Sequence, residues 1–308
     1  MFEVVEGELW WQNNHISQSK LDLFNKCQLA WWFRYVQKIR KPSKLWLPQG
    51  SATHVGVENF LDDLKGDGVK DLTHYFLLME MYWDENSDLI LNKDGVEMTA
   101  EEKYRALQDA QHWFRGFYEN THKDPTVGGL DLREVTGTEV EMMRKVDWGD
   151  RDGPEIYVRG KIDMVLDLDG PVAKLADLKT SSPNKSYAWT PDKARRKIQA
   201  TAYGFIVGKP VEFDYIVLPK ESRFTKWGND VKEPAQVVPY RVTTTRNEVD
   251  YEMFLNNLHD FVKTVDLENE YAGFRPYATG LIDPKWGNDW CGQLCDYKAE
   301  CEAKHNGG

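Results

Sequence analysis

Cysteine is scarce in this chain: four in 308 residues, at positions 27, 291, 295 and 301. So few thiols exclude the dense disulfide framework of a small secreted domain. Three of them fall within eleven residues near the end, and clustered cysteines in a chain of this size read as metal ligands first. Long apolar runs are missing as well. No 18 consecutive residues are apolar, and the start is not basic-then-apolar. The expectation is therefore no membrane span, no secretory signal and a cytoplasmic location. Positive charge is short too, with 39 Lys and Arg against 50 Asp and Glu, a net −11. That argues against a general nucleic-acid coating protein, which would be basic overall. It leaves room for an enzyme with a local basic groove on an acidic body, because net charge is only a sum. No internal repeat or low-complexity tract interrupts the sequence.

What is present is enough apolar material, 41% of residues, for one large domain or two small ones. Residues 17–37 carry a rough apolar stripe at Leu21, Phe24, Ala30 and Phe33, with Ser17 or Ser19 as a cap, and predict a helix. A basic loop follows at 38–44, then a helix over 50–64 that opens with Gly-Ser. Residues 71–120 read as mostly helical, with an acidic loop near 84–95. Trp83, Trp113, Phe114, Phe117 and Tyr118 in that region are most simply core. After Pro and Gly near 122–131 the period changes. Residues 135–146 and 155–170 alternate as strands do, and Asp169-Gly170 signals a hairpin turn. Residues 191–208 predict a helix with Pro191 in its first turn and Gly208 at its end. Strands over 211–220 and 235–245 and an amphipathic helix over 246–270 complete the pattern. The order predicts an α/β core, with a central mixed sheet flanked by helices, plus helical additions and a cysteine tail.

The segment "LADLKTSS", residues 175–182, sets Asp177 and Lys179 on one face of a strand. Alone, such a pair is usually a surface ion pair. Hairpin pairing can add Asp163, from "GKIDMVLD", to the same sheet edge. Two carboxylates that close repel, and a divalent cation resolves the conflict. Carboxylates with open water positions suit Mg²⁺ or Mn²⁺, and a lysine beside them can orient a water for phosphodiester hydrolysis. His54 and Glu58, and Gln199 and Tyr203, are i, i+4 pairs on helix faces. His54 offers a nitrogen ligand, and Gln199 and Tyr203 can hydrogen-bond a phosphate or hold the lysine. Their ordinary reading is a partly buried helix face. Glu139 is a further carboxylate whose ordinary fate is a solvated strand face. Cys27, Cys291, Cys295 and Cys301 can bind a 4Fe–4S cluster or Zn²⁺, stapling the N-terminal helix to the tail.

These residues, in this order, resemble the PD-(D/E)XK nuclease superfamily, and within it the RecB-like exonuclease branch with an iron–sulfur cluster. That branch includes CRISPR-associated RecB-like exonucleases and AddB-type nuclease domains. "SKLDLFNKCQLAWWFRYV" is similar to the branch's N-terminal helix with its isolated cysteine. "GSATH" is similar to its Gly-x-x-x-His motif, "GKID" to its Gly-x-(Ile/Val)-Asp strand, "ADLK" to its (Asp/Glu)-x-Lys motif and "QATAY" to its Gln-x-x-x-Tyr motif. Two details depart from the pattern. The tail reads Cys-x3-Cys-x5-Cys, one residue longer than usual, and Asp177 stands where Glu is commoner.

The resemblance implies one nuclease domain over 1–308. Its parts are N-terminal helices over 17–64, a helical insertion over 65–130, a catalytic core over 135–242 and a cluster-binding tail over 246–308. It implies that Asp163, Asp177, His54 and the Leu178 carbonyl hold Mg²⁺ or Mn²⁺. Lys179 would position the attacking water, with Gln199 and Tyr203 in support, and the four cysteines would favour 4Fe–4S over Zn²⁺. The implied activity is metal-dependent DNA hydrolysis, as an exonuclease on linear DNA in repair, recombination, replication or phage DNA processing. A structure-specific endonuclease or CRISPR spacer-processing nuclease of the same fold is an alternative, and a silent DNA-binding scaffold subunit is another. DNA would be held through its backbone by the basic stretches 38–44 and 193–197. Trp31, Trp32 and Trp189 could offer stacking platforms, though core packing is their ordinary role. A helicase, a recombinase or a second copy of the chain are the partners implied.

Overall fold

The computed structural model describes residues 15–66, 68–87, 89–92, 95–184, 187–225, 229, 231–270, 295–297 and 299–301. The chain begins with β1 (Ile16–Ser17), α1 (Gln18–Lys26) and α2 (Gln28–Tyr35). The sequence predicts one helix here, and the structure breaks it at Cys27. The extended backbone of Cys27 (φ −163°, ψ 110°) ends α1, and its Sγ caps α2 by accepting from the Ala30 N–H. Ser17 caps α1, accepting from the Lys20 N–H at 3.3 Å. β2 (Ser43–Lys44) precedes α3 (Trp46–Lys65), which starts four residues ahead of the expected Gly50. Then come α4 (Leu72–Asn86), β3 (Ile90–Leu91) and α5 (Ala100–Thr121). A reciprocal capping box between Thr99 and Glu102 opens α5. β4 (Thr126–Val127) and β5 (Leu130–Asp131) form a small hairpin.

The main sheet follows: β6 (Gly137–Lys145), β7 (Tyr157–Asp167), β8 (Ala173–Ser181), β9 (Val211–Pro219) and β10 (Tyr240–Arg246). With β1 they make a six-stranded mixed sheet. β6–β7, β7–β8 and β9–β10 are antiparallel pairs, whereas β1–β7 and β8–β9 are parallel. A parallel pair needs a crossover, which is supplied by α6 (Pro191–Arg195) and α7 (Ile198–Val207). The helix expected over 191–208 is therefore two pieces. Pro191 starts the first, and Gly208 closes the second in the left-handed region at φ +80°. α8 (Glu248–Glu270) follows β10.

Alternation along the strands sends side chains to two cores. Leu175, Phe213, Tyr215 and Val217 face Leu21, Phe24, Trp31 and the inner sides of α7 and α8. Ala176, Leu178, Ile216 and Leu218 face Phe60, Tyr75, Phe114 and Phe117 of α3, α4 and α5. This is the expected α/β class, a mixed sheet flanked by helices. Among the described residues no helix is long and apolar enough to cross a membrane.

Phe261 ties the last helix to the first two. Its ring meets Phe24 at 4.7 Å and Trp31 at 5.4 Å, both edge-to-face. Phe261→Ala should cost about 3–5 kcal/mol of unfolding free energy in a urea titration. A loss below about 1 kcal/mol would show that this contact does not hold the helices together.

Candidate active site

The site forms where β7 lacks a neighbour. β6 pairs along one edge of it from Tyr157 to Val165. On the other edge β1 pairs at Val158 and Arg159, and β8 joins only from Met164 onward. Among the described residues, 160–163 have no ladder partner on that edge. Two other donors fill the gap. The Tyr203 hydroxyl donates to the Lys161 carbonyl at 2.7 Å, and the Leu178 N–H donates to Asp163 Oδ2 at 2.9 Å. Gly160 lets α7 come this close, because a Cβ there would fall 2.6 Å from the Tyr203 ring.

The ladder to β6 is interrupted at the same level. Thr138 pairs with Met164 and Val140 with Ile162, which sets Glu139 opposite Asp163. Glu139 has φ +50°, a left-handed conformation that costs a non-glycine residue roughly 1–2 kcal/mol. Strain of this kind concentrates at functional sites. Extending the β7–β8 register by one residue sets Asp177 across from Asp163 as well. Acidic residues of three adjacent strands thus converge.

His54 of α3 completes the cluster, its Nδ1 lying 3.4 Å from Asp163 Oδ2. His54, Glu139 and Asp163 each present a ligand atom within 4.8 Å of the others, close enough to share one cation. Burial, reinforced by Asp177, holds the Asp163 carboxyl well above the usual carboxylate range. Burial lowers the pKa of His54, against the pull of Asp177, and so favours the neutral imidazole that binds metals. Burial, then Glu139, raises the pKa of Glu58 on the same helix. The Asp163 and Glu58 shifts add the repulsion of neighbouring acids to the effect of burial, whereas in His54 burial outweighs the pull of those acids.

Residues 15–302 match the family model of the PD-(D/E)XK nuclease superfamily. The chain belongs to that superfamily. No curated protein matches it. Among solved structures, a candidate exonuclease from Eubacterium rectale aligns at TM-score 0.48 and 13% identity, covering 92% of each chain. The protein SSO0001 aligns at TM-score 0.32 and 12% identity, covering 93% of this chain and 94% of its own.

In this PD-(D/E)XK chain Asp177 lies outside the His54–Glu139–Asp163 group. It is 1% exposed, and its Oδ1 accepts from Gln199 Nε2. Lys179 Nζ sits 2.5 Å from its Oδ2 but too obliquely for an aligned hydrogen bond, so that buried oxygen has none. Gln199 Nε2 also reaches the Tyr203 hydroxyl at 3.4 Å. Burial, then Asp177, raises the Tyr203 phenol far above its ordinary value, which keeps it a hydrogen-bond donor. His54, Glu139 and Lys179 open into a cleft of about 650 Å³, lined also by Ser51, Glu58, Lys161, Thr180 and Lys220. Lys161 is ion-paired to Glu139, so Glu139 is not the freely solvated strand residue its pattern suggested.

Three of the four cysteines fall among the described residues. Cys27 is buried, and its sulfur is engaged as the α2 cap. Cys295 and Cys301 pack against the same core, and Cys291 lies outside the described residues. Among the described residues these thiols do not form a metal-ligating group, so no 4Fe–4S or zinc site is supported by them. The tail is joined to the N-terminal segment by other means. Tyr297 stacks on Phe33 at 5.8 Å and donates to the Ile39 carbonyl at 3.1 Å. Lys41 pairs with Glu300, and Lys44 with Asp296 at 2.6 Å. Those two lysines of the expected DNA-facing loop are thus met by tail carboxylates. Arg195 and Arg196 are likewise paired with Asp192. Trp31 and Trp32 are core residues, and Trp189 lies on Tyr215 at 4.3 Å.

The raised pKa of Asp163 has a consequence for stability. Between the unfolded pKa of about 3.9 and the folded value, the native state binds the extra proton, so stability falls as pH rises through that window. Asp163→Asn removes the charge. In metal-free protein at pH 7 it should raise the Tm by roughly 2–4 °C. The gain should vanish as the pH is brought down to about 4. An Asn variant that melts below wild type at pH 7 would contradict this electrostatic reading.

Proposed function

We propose that this nuclease is a Mg²⁺- or Mn²⁺-dependent deoxyribonuclease that degrades linear DNA as an exonuclease. One observation carries the reading: the His54–Glu139–Asp163 ligand group lies beside the Asp177–Lys179 pair, and His54, Glu139 and Lys179 line one cleft. Two carboxylates and one imidazole form a hard donor set that suits Mg²⁺ or Mn²⁺. Asp177 Oδ2 and the Leu178 backbone lie next to that set and can complete it. The bound cation would polarise the scissile phosphate and make the attacking water more acidic.

The chain's own groups do the rest. The Lys179 ammonium, 29% exposed and held at Asp177, orients the water for in-line attack and offsets charge that develops on the phosphate. Gln199 fixes the Asp177 carboxylate and so fixes Lys179. Tyr203 braces β7 through the Lys161 carbonyl and keeps Asp163 in place. Its role in this scheme is to position the strand. Glu139 enters as a ligand. The exonuclease assignment and the RecB-like branch rest on the order of the Gly-x-x-x-His, Gly-x-Ile-Asp, Asp-x-Lys and Gln-x-x-x-Tyr motifs.

The test uses end-labelled linear DNA with a circular control, in Mg²⁺, Mn²⁺ or EDTA. Metal-dependent loss of linear DNA with the circle spared is expected. Lys179→Ala should lower kcat by about 10²–10³-fold. Equal loss of the circle would assign an endonuclease instead. Absence of cleavage with either metal would favour a silent DNA-binding subunit.

A further inference from the structure

Lys220 lies in the catalytic cleft and has no part in the chemistry above. Parallel pairing of β8 with β9 fixes its backbone, the Lys220 N–H donating to the Ser181 carbonyl at 2.7 Å. Trp113 of α5 fixes it from the other side, its indole N–H donating to the Glu221 carbonyl at 2.8 Å. The Lys220 ammonium then lies 5.3 Å from the centre of the Trp113 ring, at the wall of the cleft. The other lysines of this cleft have carboxylates: Lys161 pairs with Glu139, and Lys179 with Asp177. Among the described residues Lys220 has no carboxylate, and burial alone lowers its pKa, to about 8.

A cation kept partly out of water with no carboxylate beside it is costly unless an anion visits it, and the Trp113 face offsets only part of that cost. The cleft carries both signs of charge, being lined by Glu58 and Glu139 and by Lys161, Lys179 and Lys220. Ser51 opens onto the same space. A Cβ on its neighbour Gly50 would stand 3.5 Å from Thr180 Oγ1, so α3 and the end of β8 nearly touch there. Along the sheet, Lys220 lies three positions past Val217, the strand partner of Lys179, or about 10 Å. That distance suits a flanking phosphate and not the reacting one.

We propose that Lys220, with the hydroxyls of Thr180 and Ser51, forms a subsite for a backbone phosphate of the DNA strand flanking the scissile bond. The proposal rests on the nuclease reading and names how that same cleft holds its substrate in register. Contacts of this kind are indifferent to base sequence and sensitive to salt.

The experiment measures binding of a labelled single-stranded oligonucleotide in EDTA across a salt series, for wild type, Lys220→Met and Lys220→Arg. The methionine stem preserves packing on Trp113, and melting temperatures check the fold. Lys220→Met should weaken binding several-fold and flatten the log–log salt slope by about 0.7, the contribution of one phosphate on a single strand. Lys220→Arg should retain the wild-type slope. With Mg²⁺, KM should rise in the methionine variant while kcat stays within about threefold. A folded Lys220→Met with wild-type affinity and slope would overturn the subsite, as would a wild type that does not bind DNA. A wild type that binds but never cleaves would defeat the nuclease reading while the salt slope still decided the subsite.

Discussion

Everything in the site depends on Asp163 being crowded by other acids. Glu139 stands opposite it on β6, and the register brings Asp177 to the same level on β8. Like charges in a partly buried cleft cannot all stay ionised without a compensating cation. Burial and that crowding together raise the Asp163 carboxyl, while burial lowers His54 against the pull of Asp177. Two lysines offset part of the charge, Lys161 at Glu139 and Lys179 at Asp177. A divalent ion among His54, Glu139 and Asp163 would offset the rest.

The fold keeps the crowded acids from relaxing apart. β7 loses β8 just at Asp163, and the Leu178 N–H then bonds the carboxylate in place of a backbone carbonyl. The crossover between the parallel strands β8 and β9 carries α7 over the gap, where Gln199 grips Asp177 and Tyr203 grips β7. Gly160 makes the approach possible. Two packed cores, one on each side of the sheet, leave the strands little freedom to move. The strained backbone at Glu139 is held by that surrounding structure.

Much of this was legible in the sequence because its periodicities are simple. Asp177 and Lys179 show the strand spacing of two, and His54 with Glu58 and Gln199 with Tyr203 show the helix spacing of four. The hairpin turn fixed which strand would carry Asp163. Glu139 was legible only as a further carboxylate whose ordinary fate is a solvated strand face, because its place opposite Asp163 depends on a register interruption that alternation does not reveal. Lys220 was invisible for a similar reason: it reaches the cleft only through the parallel β8–β9 pairing and the Trp113 ring. Cys27 interrupts a continuous helical pattern, since a cap is a matter of one residue's backbone and periodicity averages over several. Its thiol accepts at that cap and packs in the core, contacts that a cysteine count does not reveal.

The most direct measurement is a calorimetric titration of metal-free protein with Mn²⁺ near pH 6, repeated in two buffers with different heats of ionisation. Binding to a cluster whose Asp163 holds its proton must release that proton, so the apparent enthalpy should differ between buffers. One site per chain is expected, with affinity about tenfold or more weaker in Glu139→Gln. Wild-type affinity in that variant, or binding without proton release, would contradict a cation shared by His54, Glu139 and Asp163.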